Sequence, residues 1–362
     1  MSEFLENDSF PGKIAVITVV PSIKEDDFHS PDRLIAKYGD DKIIHLTWPE
    51  NFMAEQEKMI STVAELVPDP DIKVLIITQV LTGTNAAVKK LKETRGDIYI
   101  IYGSIQESLA ESAANANLIF DENILDTGRA MVKQAKKQGA KVFVHYSFPR
   151  HMADKRLAGR RDKILETCAE EKLQFIDLTV LDPAGEAGLA GAQEFIKHDV
   201  PKVTAQYGKD TAFFCSNCHL QGALIKAVVE SHAILPQPCC PSPFHGFPEA
   251  LGLNTGKGMP ELNMLINDIS NTVMEKNMSD RLSTWPVSLS TMYTNAGAEY
   301  AIKWLREEVP NDHIDNRVLM ECLNSYIEEV IGEESYVHMT SYTDGDKTYN
   351  NFKLILMSYL DF

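Results

Sequence analysis

The sequence predicts an α/β protein made of two doubly wound lobes, each a parallel sheet covered by helices. Two observations lead there. Short apolar runs alternate with amphipathic helix-length segments along most of the 362 residues. In residues 121–171 the unit is complete: a helix pattern ends at Gly139, a buried strand covers 141–146, a polar–aromatic loop follows, and a second helix begins near Asp154. The same grammar recurs upstream with its own strands. Two such lobes imply an interlobe cleft, hinge crossovers and a protein that closes on a small molecule.

Each element has its own reason. Residues 14–20, 42–47, 74–80, 98–103 and 118–120 are strands, and 74–80 is nearly all apolar, as burial on both faces requires. Residues 32–38 form a helix that stops at Gly39. Residues 54–67 form another, with Met59, Val63, Leu66 and Val67 on one side. A third helix covers 85–94. Beyond the boundary near 124, strands are expected at 141–146, 174–178, 211–215 and 237–240. Helices at 127–138, 154–171, 191–207 and 220–232 lie between them. Short links between such elements imply right-handed crossovers. Further on come a helix at 260–276, a strand near 282–288 and helices at 296–308 and 314–331. The tail, 336–342 and 349–359, reads as a hairpin around Asp344-Gly345-Asp346. The lobes are expected to comprise 12–124 with 246–290, and 125–245 with 291–362, with crossings near 124, 245 and 290.

Composition narrows function. The balance of 35 Lys and Arg against 52 Asp and Glu leaves a formal charge of -17. A surface of that sign repels phosphate backbones, so direct nucleic-acid binding is not expected. Nor does a helix-turn-helix precede the first strand. No apolar run reaches a membrane span. The start, MSEFLENDSFPG, lacks the basic and apolar regions of a signal peptide. As written the chain reads as cytoplasmic, or as extracytoplasmic if a leader has been removed. Six cysteines are too few for a disulfide scaffold at this length.

Several segments carry a resemblance. GRAMVKQAKKQGAK and TAFFCSNCHLQGALIKAVVESHAI are similar to second-lobe units of the type I periplasmic-binding-protein-like superfamily. HLTWPENF, VHYSFPRHM, GAQEFI, GKDTAFF and CCPSPFHGF resemble a bacterial family of uncharacterised solute-binding-like domains, many with a lipoprotein-type leader. The resemblance implies two lobes hinged around a solute, read by an ABC transporter or by a regulatory partner.

In doubly wound sheets ligands sit beyond the strand carboxyl ends. That rule selects Ser22 beside Pro21, Trp48, Gln79, Thr82, Tyr102 and Ser104 in the first lobe. In the second it selects His145, Tyr146, Phe148, Arg150, His151, Asn217, Ser242 and His245, with Thr179, Asp182, Ser216 and Phe244 nearby. Aromatic faces cover apolar ligand surfaces, and polar groups fix orientation. Trp48, Tyr146, Arg150 and Asn217 rank first. Arg150 is read as a clamp on a carboxylate, against the alternative of an Arg tied to an acidic neighbour. Trp48→Ala or Arg150→Ala is expected to weaken ligand binding and leave thermal unfolding nearly unchanged.

Cys215-Ser216-Asn217-Cys218-His219 matches C-x-x-C-H, a haem-attachment pattern. A strand-ending first Cys argues instead for a small buried hydrophobe. Cys215, Cys218, Cys239 and Cys240 form a weak C-x2-C-x20-C-C metal candidate, and no metal or cofactor is expected. Gly185, Gly188 and Gly191 lack the dinucleotide spacing, and GLNTGKG at 252–258 falls short of a P-loop. Thr82-Gly83-Thr84 opens a helix and could receive an anion, or be a simple cap. No G-x-S-x-G elbow is present.

The expected function is non-enzymatic binding or sensing of a small polar or amphipathic solute. The alternatives are the effector core of a transcriptional regulator without its own DNA module, with a homodimer as its signature, and a metal- or thiol-dependent enzyme.

Overall fold

Pairing of extended runs organises the chain into β1 (Lys13–Thr18), β2 (Ile43–Thr47), β3 (Ile72–Ile77), β4 (Tyr99–Gly103), β5 (Leu118–Glu122), β6 (Val142–Ser147), β7 (Gln174–Thr179), β8 (Thr211–Cys215), β9 (Ser283–Thr284), β10 (Val337–Asp344), β11 (Lys347–Met357) and β12 (Leu360–Asp361). This computed structural model describes residues 10–253, 260–332 and 336–362. Contacts divide the chain into two units: Met1–Glu122 with Leu289–Ile355, and Asn123–Ser288 with Leu356–Phe362.

The first unit holds a seven-stranded sheet in the order β10-β11-β5-β4-β3-β1-β2. β1 pairs in parallel with β2 on one side and β3 on the other, and β11 runs parallel to β5 with Phe352 opposite Ile119. Ile14–Ile17 and Val74–Ile77 are wholly buried, because helices cover both faces. Among those helices are Thr84–Lys92 and Leu289–Leu305.

In the second unit β7-β6-β8 form a parallel sheet. Single bridges extend it, Ala212 to Ile234 and Leu235 to Leu282, and β9 pairs antiparallel with β12. Helices Ile124–Lys137 and Lys155–Glu170 lie with Met131, Ile164 and Cys168 in one core, beside Phe143 and Phe214. Gly188–Tyr207 and Gln221–Glu230 contribute to the other.

Two expectations differ from what is seen. Residues 246–288 belong with the second sheet and 289–355 with the first, the reverse of the lobe membership read from sequence; the crossings fall at 122/123, 288/289 and 355/356. The added strands β10 and β11 and the helix Leu289–Leu305 find unburied edge and face on the first sheet. The strand expected at 237–240 is not formed. Its ladder partners are Ile234 and Leu235 instead, and Pro236 and Pro238, which lack N–H donors, follow directly. The glycine loop at 252–258 falls largely outside the described residues.

Candidate functional site

Each sheet has one point where neighbouring strands send their connections opposite ways, and ligands favour the carboxyl end there. In the first unit this is the gap between β1 and β3, since β2 lies on the far side of β1. In the second it is the gap between β6 and β8, since β7 lies beyond β6.

At the first switch point a short helix, Glu25–Phe28, buries Asp27 completely. Its Oδ2 accepts from the Val19 backbone N–H at 3.2 Å and from Thr78 Oγ1 at 2.6 Å. Its Oδ1 is buried without a hydrogen-bond partner. Burial pushes the Asp27 carboxyl above its ordinary range, although Lys24 and the Thr78 bond pull the other way. Tyr293, from the helix Leu289–Leu305, donates to the Thr78 carbonyl and lies 3.3 Å from Ser104 Oγ. The close approach of Tyr293 requires Gly103, since a Cβ there would collide with the phenol ring. Ser104 has φ 45°, a left-handed conformation costly for a residue with a Cβ.

The other first-unit candidates divide into outward and inward side chains. Ser22 is exposed and donates to Glu50 Oε1 at 2.6 Å. Thr82 is exposed. Gln79 is nearly buried, with Gln106 Nε2 3.4 Å from its Oε1. Trp48 is 0% exposed, and its indole N–H donates to the Gln79 carbonyl at 3.2 Å. Tyr102 is also fully buried, its hydroxyl unpartnered. The helix start at Thr82–Thr84 is capped from within the protein: the Glu107 carboxylate accepts from the Gly83 and Asn85 N–H groups at 2.7 and 2.8 Å.

At the second switch point the loops after β6 and β8 are tied together. His151 Nδ1 lies 2.9 Å from Ser216 Oγ, and the Ser216 N–H donates to the Tyr146 carbonyl at 3.0 Å. Burial, then Arg150 and Arg160, lower the His151 pKa. Arg150 forms a bidentate pair with Asp182 at 2.8 and 2.7 Å, and Asp182 is held at about 2 by that bond. The acidic-neighbour reading of Arg150 describes this geometry. Asn217 caps the turn Cys218–Leu220, its Oδ1 accepting from the His219 N–H at 3.0 Å. Ser242 Oγ accepts from the Phe244 N–H at 3.2 Å.

Three aromatic or histidine candidates here are structural. His145 sits within β6, 1% exposed, with Nδ1 2.9 Å from Asp177. Burial lowers its pKa, so the neutral ring donates Nδ1–H to the carboxylate. Tyr146 is fully buried and donates to Asp199 at 2.8 Å. Phe148 is buried under the His151 ring, centroids 4.1 Å apart. With Trp48 and Tyr102 they correct the expectation of ligand-facing aromatics: the side chains turn inward, where apolar area leaves water.

The cysteines separate as well. None of the six is in a disulfide. Cys215 is fully buried in β8, and burial pushes its thiol up to about 12. Cys218, Cys239, Cys240 and His245 converge, their ligand atoms all within 4.8 Å of one another. Cys239 Sγ lies 3.0 Å from Cys218 Sγ, 3.9 Å from Cys240 Sγ and 3.5 Å from His245 Nε2, and Cys218 Sγ is 3.2 Å from Cys240 Sγ. Thus His245, and not Cys215, is the fourth member of the cluster.

Sequence reasoning missed Asp27, Thr78, Tyr293 and Glu107. The acidic run Glu25-Asp26-Asp27 just after β1 was the available signal. Tyr293 lies too far along the chain to be connected with it.

Residues 12–283 match the family described as "Protein of unknown function (DUF3798)". An "Uncharacterized protein" of Treponema pallidum (strain Nichols) is 30% identical over 178 residues, covering 48% of this chain and 80% of that protein. A crystal structure from Clostridium difficile 630, provisionally described as a transcriptional regulator, superposes with a TM-score of 0.85 at 21% identity, over 98% of this chain and 100% of that one. A sugar ABC transport system substrate-binding protein from Bordetella parapertussis 12822 gives 0.54 at 9% identity, over 97% and 89%. A periplasmic ribose ABC transporter protein from Conexibacter woesei DSM 14684 gives 0.52 at 11%, over 82% and 87%. The fold is that of type I periplasmic binding proteins. Among the described residues no helix is long and apolar enough to cross a membrane.

Proposed function

The chain belongs to the DUF3798 family, and on that premise we propose that it is a non-enzymatic receptor for a small polar solute. The observation that carries the reading is that polar groups gather at the switch point of each sheet. Asp27, Thr78, Tyr293 and Ser104 do so in the first unit, His151, Ser216 and Asn217 in the second. The sugar-binding function of the Bordetella protein supports a hydroxyl-rich solute for this fold. Solute binding shifts an open–closed equilibrium by preferring the closed state. No step of chemistry on the solute is part of the reading.

A second reading is an effector-sensing core, favoured by the similarity to the Clostridium difficile protein. It differs in what receives the signal, and gel filtration separates the two: a solute-sensitive homodimer favours the regulator, a monomer the transport receptor.

The test is a thermal-shift screen against sugars, polyols, nucleosides and amino acids, since a solute selective for the folded state raises the unfolding midpoint. A hit should lose its effect in His151→Ala and in Ser104→Ala, and be recovered chemically unchanged. A panel without hits, or a hit indifferent to both substitutions, counts against the reading.

A further inference from the structure

We propose that Cys218, Cys239, Cys240 and His245 form a closed four-ligand site for Zn2+. It would staple the loop after β8 to the segment 236–246. The inference stands apart from the solute reading and needs no solute.

Local structure brings the four together. β8 ends at Cys215, and Asn217 caps a short turn that opens with Cys218. The helix Gln221–Glu230 then carries the chain away, and Ile234 returns to bridge Ala212 of β8. That return sets residues 239–240 beside the turn, despite 20 intervening residues. Gln221 fastens the two pieces: fully buried, it donates to the Cys215 and Asn217 carbonyls at 3.0 and 2.7 Å and accepts from the Cys239 N–H at 3.3 Å. The His245 N–H donates to the Ser242 carbonyl at 3.1 Å, a turn that brings the ring to Cys239. The cluster therefore rests on a hydrogen-bonded shell that orients its ligands, which metal centres require.

The geometry points to a tetrahedral ion. With Zn–S near 2.3 Å, the sulfur–sulfur edge of a tetrahedron is roughly 3.8 Å, and a sulfur–imidazole edge is slightly shorter. Cys239–Cys240 at 3.9 Å and Cys239–His245 at 3.5 Å match these edges. The two edges meeting at Cys218, 3.0 and 3.2 Å, are short. Cys218 is exposed, so a small rotation of its side chain opens both. A disulfide would use two of three mutually close sulfurs, leave the third and His245 without a role, and need a bond of about 2.05 Å. Three thiolates and an imidazole are soft and borderline donors, which select Zn2+ over Mg2+ or Ca2+. Four protein ligands with no open position describe a structural centre.

The test uses the full chain, purified with reductant, without chelator and without a polyhistidine tag. Its zinc content is measured, the metal is removed, and Co2+ is titrated in, because Co2+ reports tetrahedral thiolate ligation by visible ligand-field bands and near-ultraviolet charge transfer. The expected result is one equivalent of zinc as purified and one of Co2+ on titration, displaced by Zn2+. Zn2+ should also raise the unfolding midpoint of the metal-free protein, reversibly with EDTA. His245→Ala should keep thiolate charge transfer and bind at least tenfold more weakly. Cys218→Ser combined with Cys239→Ser should abolish it, while Cys322→Ala in the other unit should match the wild type. The titration of the wild type decides the matter even where variants misfold. Absence of charge transfer at micromolar Co2+, bands that survive the double substitution, or a disulfide among these cysteines in protein kept reduced would each overturn the proposal.

Discussion

Trp48→Ala should destabilise the first unit by about 3–5 kcal/mol, as deletion of a buried large aromatic does. The side chain is 0% exposed. Burying roughly 200 Å2 of it at roughly 25 cal/mol per Å2 contributes about 5 kcal/mol as an upper figure. The indole N–H to the Gln79 carbonyl, 3.2 Å, adds about 1 kcal/mol. Partial collapse around the alanine recovers some of the sum. Trp48→Phe keeps most of the packing and should cost about 1–2 kcal/mol, the hydrogen bond and the lost ring volume. For a unit of this size the alanine variant should melt roughly 6–20 °C lower. Urea unfolding by far-ultraviolet circular dichroism gives the total, and pulse proteolysis assigns it to a unit, because two units need not unfold together. A Trp48→Ala protein within about 1 kcal/mol of wild type would refute the core assignment. It would restore the expectation from sequence that this indole faces a ligand.

Four further outcomes follow. Arg150→Ala removes an exposed ion pair with Asp182, so its unfolding midpoint should stay within measurement scatter by calorimetry. Glu107→Ala uncaps the helix Thr84–Lys92, leaving two N–H groups without their carboxylate, and should cost about 1–2 kcal/mol in urea unfolding. Asp27 titrates higher in the folded state than its ordinary 3.8, so stability falls as pH rises above that value. Asp27→Asn should raise the midpoint at neutral pH and flatten this limb. His145 titrates lower than its ordinary 6.5 when folded, so its contribution is present above that pH and declines as pH falls below it; a His145→Gln midpoint that declines as steeply over that range would contradict the buried neutral ring.

Much of the fold was legible because periodicity is local. The alternation of apolar runs and amphipathic helices was enough to identify β1 to β8, and Gly39 marked a helix end. Lobe membership of the later segments was not legible, since nothing in 246–290 or 289–355 states which sheet edge it will meet. The strand-end rule found the right loops, and failed on orientation. Trp48, Tyr102, Tyr146 and Phe148 stand where ligands bind in such folds, but a side chain at a strand end can turn either way, and large apolar area turns it inward. Spacing in the sequence groups Cys218, Cys239 and Cys240 with Cys215. Cys215 is fully buried in the sheet core and lies outside the cluster. His245 replaces it through a turn at Ser242 that spacing alone does not reveal.

The last stretch of chain supplies both units: β10 and β11 widen one sheet, and Leu360 then pairs with Thr284 beside the other. Neither unit is a continuous length of polypeptide. On the ribosome the first sheet lacks β10 and β11, and β9 lacks its partner β12, until the residues after 336 emerge.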